Sequence, residues 1–424
     1  MTRRTFLVGA SAAGQRWAGA NDRIRAAVVG TGWRGMDLVN NLLRIPGAEV
    51  AAVCDVDDLR TAQAAAAVRK KSGKSPAQVS DFRRILDDKT IDTVSFATPD
   101  HWHGLNTIWA CQAGKHVLIE KPISHNFAEG QKMVEAARKY KRIVQGGTQR
   151  RSSGGYRKAI RLLHQGVIGD LYLARWTICV RRKSLGFLKP EPPPKNLHWD
   201  LWLGPAPEQP HHYNLVHYNW HWFWDFGGGE VSNNGAHYMD VARWGLNRGL
   251  PHRVFASGGR FGYQDQGQTP NTLNVTCQWD DGVELIGEVR GHLTPETNSL
   301  HFYGSKGYMH LTDGSHGAAD NQRGVCQIYL NGSKTPEPDP GRLDDIDHTA
   351  NFLDAVRTGK PESLTAELEQ IHLSCSMCNF ANISYRLKRE VRFDPKTNRF
   401  LGDPQANAML GRTYRRPFIL PAAV

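Results

Sequence analysis

The sequence predicts an α/β protein in two parts: a doubly wound parallel sheet, then a second α/β domain built on a large, mostly antiparallel sheet. Three observations carry this. From Ile24 to Thr148, short β-branched runs alternate with helical stretches. A glycine-rich turn follows the first of those runs. Beyond Thr148 the texture changes, and alternating strands joined by turns take over. A chain of 424 residues also exceeds one ordinary core.

The elements follow in order. "IRAAVVG" is a strand, "GMDLVNNLLRI" a helix and "AEVAAVCD" a second strand. "TAQAAAAVRKKSG" is an alanine-rich helix that stops at Gly73. "DTVSFATP" is the third strand, "GLNTIWACQAG" a helix, "KHVLIEKP" the fourth strand, "FAEGQKMVEAARKYK" a helix and "RIVQGGTQ" the fifth strand. Such alternation implies parallel strands with crossover helices. Next come helix "GYRKAIRLLHQGVIG" and strand "LYLARWTICVR". The Pro-rich stretch from Lys189 to Pro210 lies among Trp, His and Tyr, too aromatic for a disordered linker, and reads as an ordered loop over a site. "GGGEVSNNGAHYMDVARW", Gly227 to Trp244, reads as a glycine-led helix with Asn233, His237, Asp240 and Trp244 on one face. "HRVFASGGRF", "NTLNVTCQWDDGVELIGEVRG" and "NSLHFYGSKGYMHLTDG" are strands joined by turns at Gly282 and at Gly304 to Gly307. Helices "DHTANFLDAVRTG" and "TAELEQIHLSCSMCNFANISYRLKR" follow. The expected divisions are 1–20, a signal segment; 21–148, the parallel-sheet domain; and 149–424, the second domain.

Bulk properties narrow the function. With 40% hydrophobic and 22% charged residues the composition is that of a soluble globular protein. A net charge of +12 attracts anions such as nucleotide cofactors and acidic sugars. The basic residues are spread along the chain without a DNA-binding signature, so nucleic acid is not an expected partner. Seven scattered cysteines make no disulfide framework, and Cys375-Ser-Met-Cys378 sits in an apolar helical pattern as a buried structural pair. "MTRRTFLVGASAAGQRWAGA" combines Arg3-Arg4, a short apolar run and a small-residue site ending at Ala20. It reads as a twin-arginine export signal, which places the protein in the periplasm or outside the cytoplasm; the alternative is a frayed arm on a cytoplasmic protein. That run is too short to span a bilayer, and no integral membrane span is expected elsewhere.

The turn after the first strand is Gly30-x-Gly32-x-x-Gly35, with Trp33 and Arg34 in its second half. The first glycine permits a tight turn, the second a close approach to a pyrophosphate, and the third close helix–strand packing. The helix that follows offers free N–H groups to phosphate. Asp55 ends the second strand, about 20 residues on, where a carboxylate accepts from ribose hydroxyls and repels a 2′-phosphate. This favours NAD over NADP, although Arg60 nearby is able to hold a phosphate. Thr98 and Pro99 end the third strand and Asp100, His101, Trp102 and His103 follow it, at the sheet edge where ligands of such folds bind. His101 or Trp102 is expected against the cofactor, and no metal site is expected at His101 and His103.

These motifs, with "TPDHWH", "EKP", "GGTQRRS", "WDLWLGPAP", "WFWDFGGG", "GAHYMDVARW" and "NFLDAVRTGKP", closely resemble the Gfo/Idh/MocA family over most of the chain from residue 24 to about 390. The resemblance implies an N-terminal Rossmann domain, a C-terminal α/β domain with an open sheet that often mediates homo-oligomers, and a site between them. It implies that Lys121 of Glu120-Lys121-Pro122 lies near the nicotinamide and the substrate hydroxyl, with Pro122 a candidate for a cis peptide. A hydroxyl that loses a hydride must also lose a proton, and a desolvated lysine beside a cationic ring has its pKa pushed down. His237 matches the family's catalytic histidine. The family often has Asp four residues earlier; here Asn233 stands there, able to orient an imidazole but not to stabilise its charge. Asp240 is an alternative orienting group or a packing residue. Gln149 follows the fifth strand beside the cofactor, and Arg150 or Arg151 either contacts substrate or caps the sheet. Trp220, Trp222 and Trp224 are either a platform for sugar rings or a domain-interface core.

The expected function is an NAD(P)-dependent oxidoreductase acting on a hydroxyl carbon of a sugar, polyol or derivative. The rival is an NAD-dependent glycosidase that oxidises the sugar transiently, eliminates, and retains its cofactor. A third reading is a cofactor-binding protein without catalysis.

Overall fold

The computed structural model describes residues 23–292, 298–312 and 324–424, so the twin-arginine reading of residues 1–20 lies outside the described residues. The first part is β1 (Ile24–Val29), α1 (Trp33–Arg44), β2 (Ala48–Cys54), α2 (Asp58–Ser72), β3 (Ala77–Val79), α3 (Arg83–Asp87), β4 (Thr93–Phe96), α4 (Asp100–Gln112), β5 (His116–Ile119), α5 (Phe127–Lys139) and β6 (Val144–Gly146). All its strands pair in parallel, in the order β3-β2-β1-β4-β5-β6. The chain reverses direction across the sheet between β1 and β4, and the crevice there is where such sheets bind dinucleotides. The sequence reading missed β3 and α3, so its third strand is β4. The reason is local: β3 is the largely exposed tripeptide "AQV", with no apolar alternation to detect.

Local signals set the helix ends. Asp57 caps α2 by accepting from the Leu59 amide, and Gly73, at φ +71°, ends it in the left-handed conformation. Asn126 caps α5 in the same way. By contrast α1 has neither a side-chain cap nor an acidic residue in its first turn, which leaves its N–H groups to an anion.

The second part runs α6 (Gly154–His164), β7 (Leu171–Cys179), α7 (Trp199–Leu203), α8 (Gly229–Ser232), α9 (Gly235–Leu246), β8 (Arg253–Gly259), β9 (Thr272–Gln278), β10 (Glu284–Arg290), β11 (Ser299–Gly304), β12 (Gly307–Thr312), β13 (Val325–Leu330), α10 (His348–Thr358), α11 (Leu368–Leu387), β14 (Val391–Asp394), β15 (Arg399–Phe400) and α12 (Pro404–Ala408). Its sheet has the order β13-β12-β11-β7-β10-β9-β8-β14-β15. β7 and β10 are parallel, and the other pairs are antiparallel. One face is packed: Trp176 of β7 is fully buried over Gly287, its register partner on β10, where a Cβ would come within 2.3 Å of the indole. Truncating such a residue to Ala costs about 3–5 kcal/mol. Cys375 and Cys378 are buried free thiols in α11, as the sequence reading expects.

The apolar clusters cross residue 148. Phe352 and Leu353 of α10 are buried with Val28 and Leu38 of the first sheet layer. Ile371 of α11 sits so close to Gly146 that a Cβ there would lie 2.9 Å from it. The late helices therefore clamp the two sheets together, and a cleft lies between them.

Candidate active site

A cleft of about 1300 Å³ runs from the β1–α1 turn to the start of α9. At one end is the glycine turn. Gly30 has φ +81°, and a Cβ on it would lie 2.6 Å from the Ala97 carbonyl oxygen; one on Gly35 would lie 1.8 Å from the Gly30 oxygen. Only glycine fits either place. Gly30, Gly32, Trp33, Arg34, Asp55, Thr98, Pro99 and Trp102 all line the cleft. Trp33 is 82% exposed at the start of α1. Asp55 is buried and accepts from the Thr31 amide at 2.6 Å and the Asp57 amide at 3.0 Å. Burial pushes its carboxyl above the ordinary range, against the pull of those amides and of Arg60. A turn without side chains, a bare helix N-terminus and a carboxylate at the next strand end fit the pyrophosphate and ribose of a dinucleotide.

The other end is assembled from distant residues. Lys121 follows β5, and its peptide bond to Pro122 is cis. Its Nζ donates to both the backbone oxygen and Oδ1 of Asn233, each at 3.1 Å. Burial lowers the Lys121 pKa, opposed by the carboxylates of Glu120, Asp100 and Glu230. Neighbouring Glu120 accepts from Arg34 Nε at 2.7 Å and Gln149 Nε2 at 2.9 Å. Burial works to raise Glu120, yet the Arg34 and Lys121 charges outweigh it and hold the carboxyl below its usual range. His237 and Arg150 complete this wall, with the Arg150 guanidinium 3.9 Å over the Tyr238 ring.

Here the structure corrects the sequence reading. Gly227 to Trp244 is not one helix: α8 ends at Ser232, Asn233 stands outside helical geometry at φ −76°, ψ −92°, and α9 begins at Gly235. The break turns both Asn233 oxygens toward Lys121, so the residue read as an imidazole-orienting group also holds the lysine. Asp240 faces away from the cleft: it is fully buried, takes a bidentate pair from Arg151 at 2.8 Å, and accepts from Ser374 at 2.7 Å. Arg151 also lies over the Trp244 ring at 4.9 Å. Asp240 and Arg151 thus tie α9 to the turn after β6 and do not line the cleft.

His101 and His103 are also withdrawn. His101 Nε2 meets the Trp202 oxygen at 3.0 Å, while both ring nitrogens of His103 lie against the Pro122 and Thr98 oxygens at 2.6 and 2.8 Å. They brace the cofactor wall from behind. Trp220 lines the cleft, stacked on His221 at 3.6 Å. Trp222 is buried beside Arg182, and Trp224 lies under Arg386, so neither forms part of the lining. Reading the sequence missed Arg182, Tyr218, Asn234 and the segment Asp347–Thr349, all of which line the cleft. Only Asp347 carried a local signal, as an N-cap before an amphipathic helix. Arg182 is held by Glu230 at 2.8 and 3.1 Å, and Glu230 also accepts from Asn234. Among the described residues no cluster of three or more His, Cys, Asp or Glu is arranged to hold a metal.

The parallel sheet, the glycine turn and the crevice at the strand ends are the architecture of a dinucleotide-binding protein. Residues 24–148 match the family model described as oxidoreductase family, NAD-binding Rossmann fold, and residues 175–420 match the one described as oxidoreductase family, C-terminal alpha/beta domain. The chain belongs to the Gfo/Idh/MocA oxidoreductase family. It is 36% identical over 174 residues to inositol 2-dehydrogenase 1 of Saccharopolyspora erythraea, covering 40% of this chain and 50% of that one. It is 34% identical over 120 residues to glycosyl hydrolase family 109 protein 2 of Shewanella sp. (strain ANA-3), covering 27% and 26%. The matched region thus spans about half, or less, of these curated relatives. Among solved structures, WlbA dehydrogenase from Bordetella pertussis in complex with NADH and UDP-GlcNAcA has the same fold, with TM-score 0.66 at 19% identity over 88% of this chain and 99% of that one.

Proposed function

We propose that the protein is an NAD-dependent oxidoreductase acting on a hydroxyl-bearing carbon of a sugar, polyol or derivative. The observation that carries this is the convergence of Lys121, Asn233 and His237 on the cleft that also holds the glycine turn. A nicotinamide held there would supply a reversible hydride acceptor. The rest falls to the chain's own residues. Asn233 fixes the Lys121 ammonium with two oxygens. Burial lowers that lysine's proton affinity, so a substrate hydroxyl that hydrogen-bonds to Nζ shares its proton with a group ready to take part in transfer. His237, on the same wall, is the partner that carries the proton onward. Glu120, locked by Arg34 and Gln149, places a fixed negative charge beside the lysine.

A second reading, the glycosidase, is favoured by the similarity to a family 109 glycosyl hydrolase. One experiment separates them. The purified protein is denatured, any released dinucleotide is identified, and glycosides and polyols are screened for bond cleavage and for NADH in parallel. Accumulating NADH with a carbonyl product supports the dehydrogenase. Cleavage without net NADH, with solvent deuterium entering the sugar, supports the glycosidase. A protein that binds no nicotinamide cofactor overturns both.

Two further assignments belong to this proposal. Export through the twin-arginine route rests on Arg3-Arg4 and the segment after it, and N-terminal sequencing of secreted protein tests it. Homo-oligomerisation rests on the unpacked face of the second sheet, where Tyr308 stacks on Tyr329 at 4.6 Å and His301 on His310 at 4.4 Å, and light scattering tests it. No described helix is long and apolar enough to cross a membrane.

A further inference from the structure

We infer that residues 196–221 of the second domain form a strap that retains the dinucleotide, latched to the Rossmann edge at Asp57; this rests on the reading that a dinucleotide occupies the cleft. Asp57 stands just past β2, two residues beyond the ribose-side Asp55, and is only 6% exposed. It caps α2, and its carboxylate takes two more partners from the strap. Asn196 Nδ2 donates to Oδ1 at 2.7 Å, and His217 Nε2 meets Oδ2 at 3.1 Å. The backbones are joined as well: the Asp58 amide donates to the Asn196 oxygen at 3.0 Å and the His198 amide to the Val56 oxygen at 2.8 Å, around an antiparallel bridge between Asp57 and Leu197.

The strap is a packed unit. Leu197, Trp202, Leu203, Ala206, Leu215 and Trp220 belong to a separate buried cluster that continues into Trp222 and Phe226, with Val56 of the Rossmann edge packed against it. Its inner surface faces the ligand: His217, Tyr218 and Trp220 line the same cleft as Asp55 and Arg60. A dinucleotide whose adenosine ribose meets Asp55 therefore has a wall from each domain. Its exit requires the bridge, two side-chain bonds to a buried carboxylate and an apolar cluster to give way together. Hydrogen bonds to charged groups of this kind are worth more than neutral ones, and separating them from a buried Asp57 leaves that carboxylate with the Leu59 amide as its remaining hydrogen bond. The sequence reading placed an ordered loop over a site at Lys189 to Pro210, but its latch was not legible, because Asp57 and His217 are 160 positions apart.

The test is exchange. Full-length protein is loaded with NAD, challenged with excess isotopically labelled NAD, and the bound fraction followed by mass spectrometry over time. The strap predicts slow exchange in the wild type. His217→Ala and Asn196→Ala should each speed release about tenfold or more, and His217→Gln, which keeps a donor near the same place, should restore much of the slow rate. Melting temperatures of each variant identify any that are misfolded, in which case the wild type and the glutamine variant still decide. Wild-type exchange as fast as in His217→Ala overturns the strap and leaves the oxidoreductase reading standing. Absence of NAD binding overturns both.

Discussion

The two ends of the cleft are built in opposite ways. The pyrophosphate end is backbone: Gly30 and Gly35 matter because they carry no side chain, and the groups offered to a ligand are the amides of one turn and of α1. The reacting end is side chains, and its central contact joins residues 112 positions apart, Lys121 and Asn233. The first is governed by steric exclusion, which a single methyl group breaks. The second is governed by charge in a buried place, where the identity of a neighbour sets how readily a proton moves.

The largest test of that contrast is Lys121→Met. It should lower kcat by about 10²- to 10⁴-fold, the usual range for a lost acid–base group, while a fluorescence titration finds NAD still bound. Parallel loss of NAD affinity would mean the two ends are one unit. Asp240→Asn comes next. It removes the charge that compensates Arg151 in a buried pair, and urea unfolding should find the protein destabilised by about 3–5 kcal/mol. If activity vanished without a loss of stability, Asp240 would after all belong to the chemistry. Gly30→Ala forces a side chain into φ +81° and toward the Ala97 oxygen. It should destabilise by about 1–3 kcal/mol and weaken NAD binding, with the pH–rate profile of the residual activity unmoved.

Acid should act on the cleft wall and the clamp helices together. Burial pushes His101 down to about 3, and His348 and His372 to about 4. In the unfolded chain these residues take up protons below about pH 6.5, whereas the native state does not until about pH 4 or lower. The unfolded state thus binds more protons in that window. Stability should be complete above about pH 6.5 and fall steadily as pH drops toward 4, which urea titrations at pH 7 and pH 5 check. The smallest expected effect is the most diagnostic. Asn233→Asp places a carboxylate on the Lys121 ammonium and should raise its pKa, moving the rising limb of the pH–rate profile upward. An unmoved limb would assign that limb to a group other than Lys121.

Much of the fold was legible. Strand–helix alternation from Ile24 to Thr148 and the glycine spacing are local patterns, and the parallel sheet they imply forms, with a mostly antiparallel sheet after it. What escaped was short or nonlocal. β13 and the β14–β15 pair gave weak signals, and β14 and β15 are only a few residues long. The helical reading of Asn233 failed because helical periodicity counts residues and takes no account of what a residue meets; Asn233 leaves the helix where its oxygens meet Lys121. The same counting put Asp240 on the face of His237, although Arg151 and Ser374 wait for it on the buried side.

By itself the sequence determined the elements whose causes lie within a few residues: the glycine turn, the capped helices, the apolar strands and the carboxylate at the end of β2. Only the tertiary structure decided which polar residues face the cleft and which serve the core. Lys121 stood out by its Glu-Lys-Pro motif, whereas Asn233 and Asp240 are ordinary polar letters in the chain. What separates them is the partner that packing brings within hydrogen-bonding distance, and a buried charge takes its role from that partner.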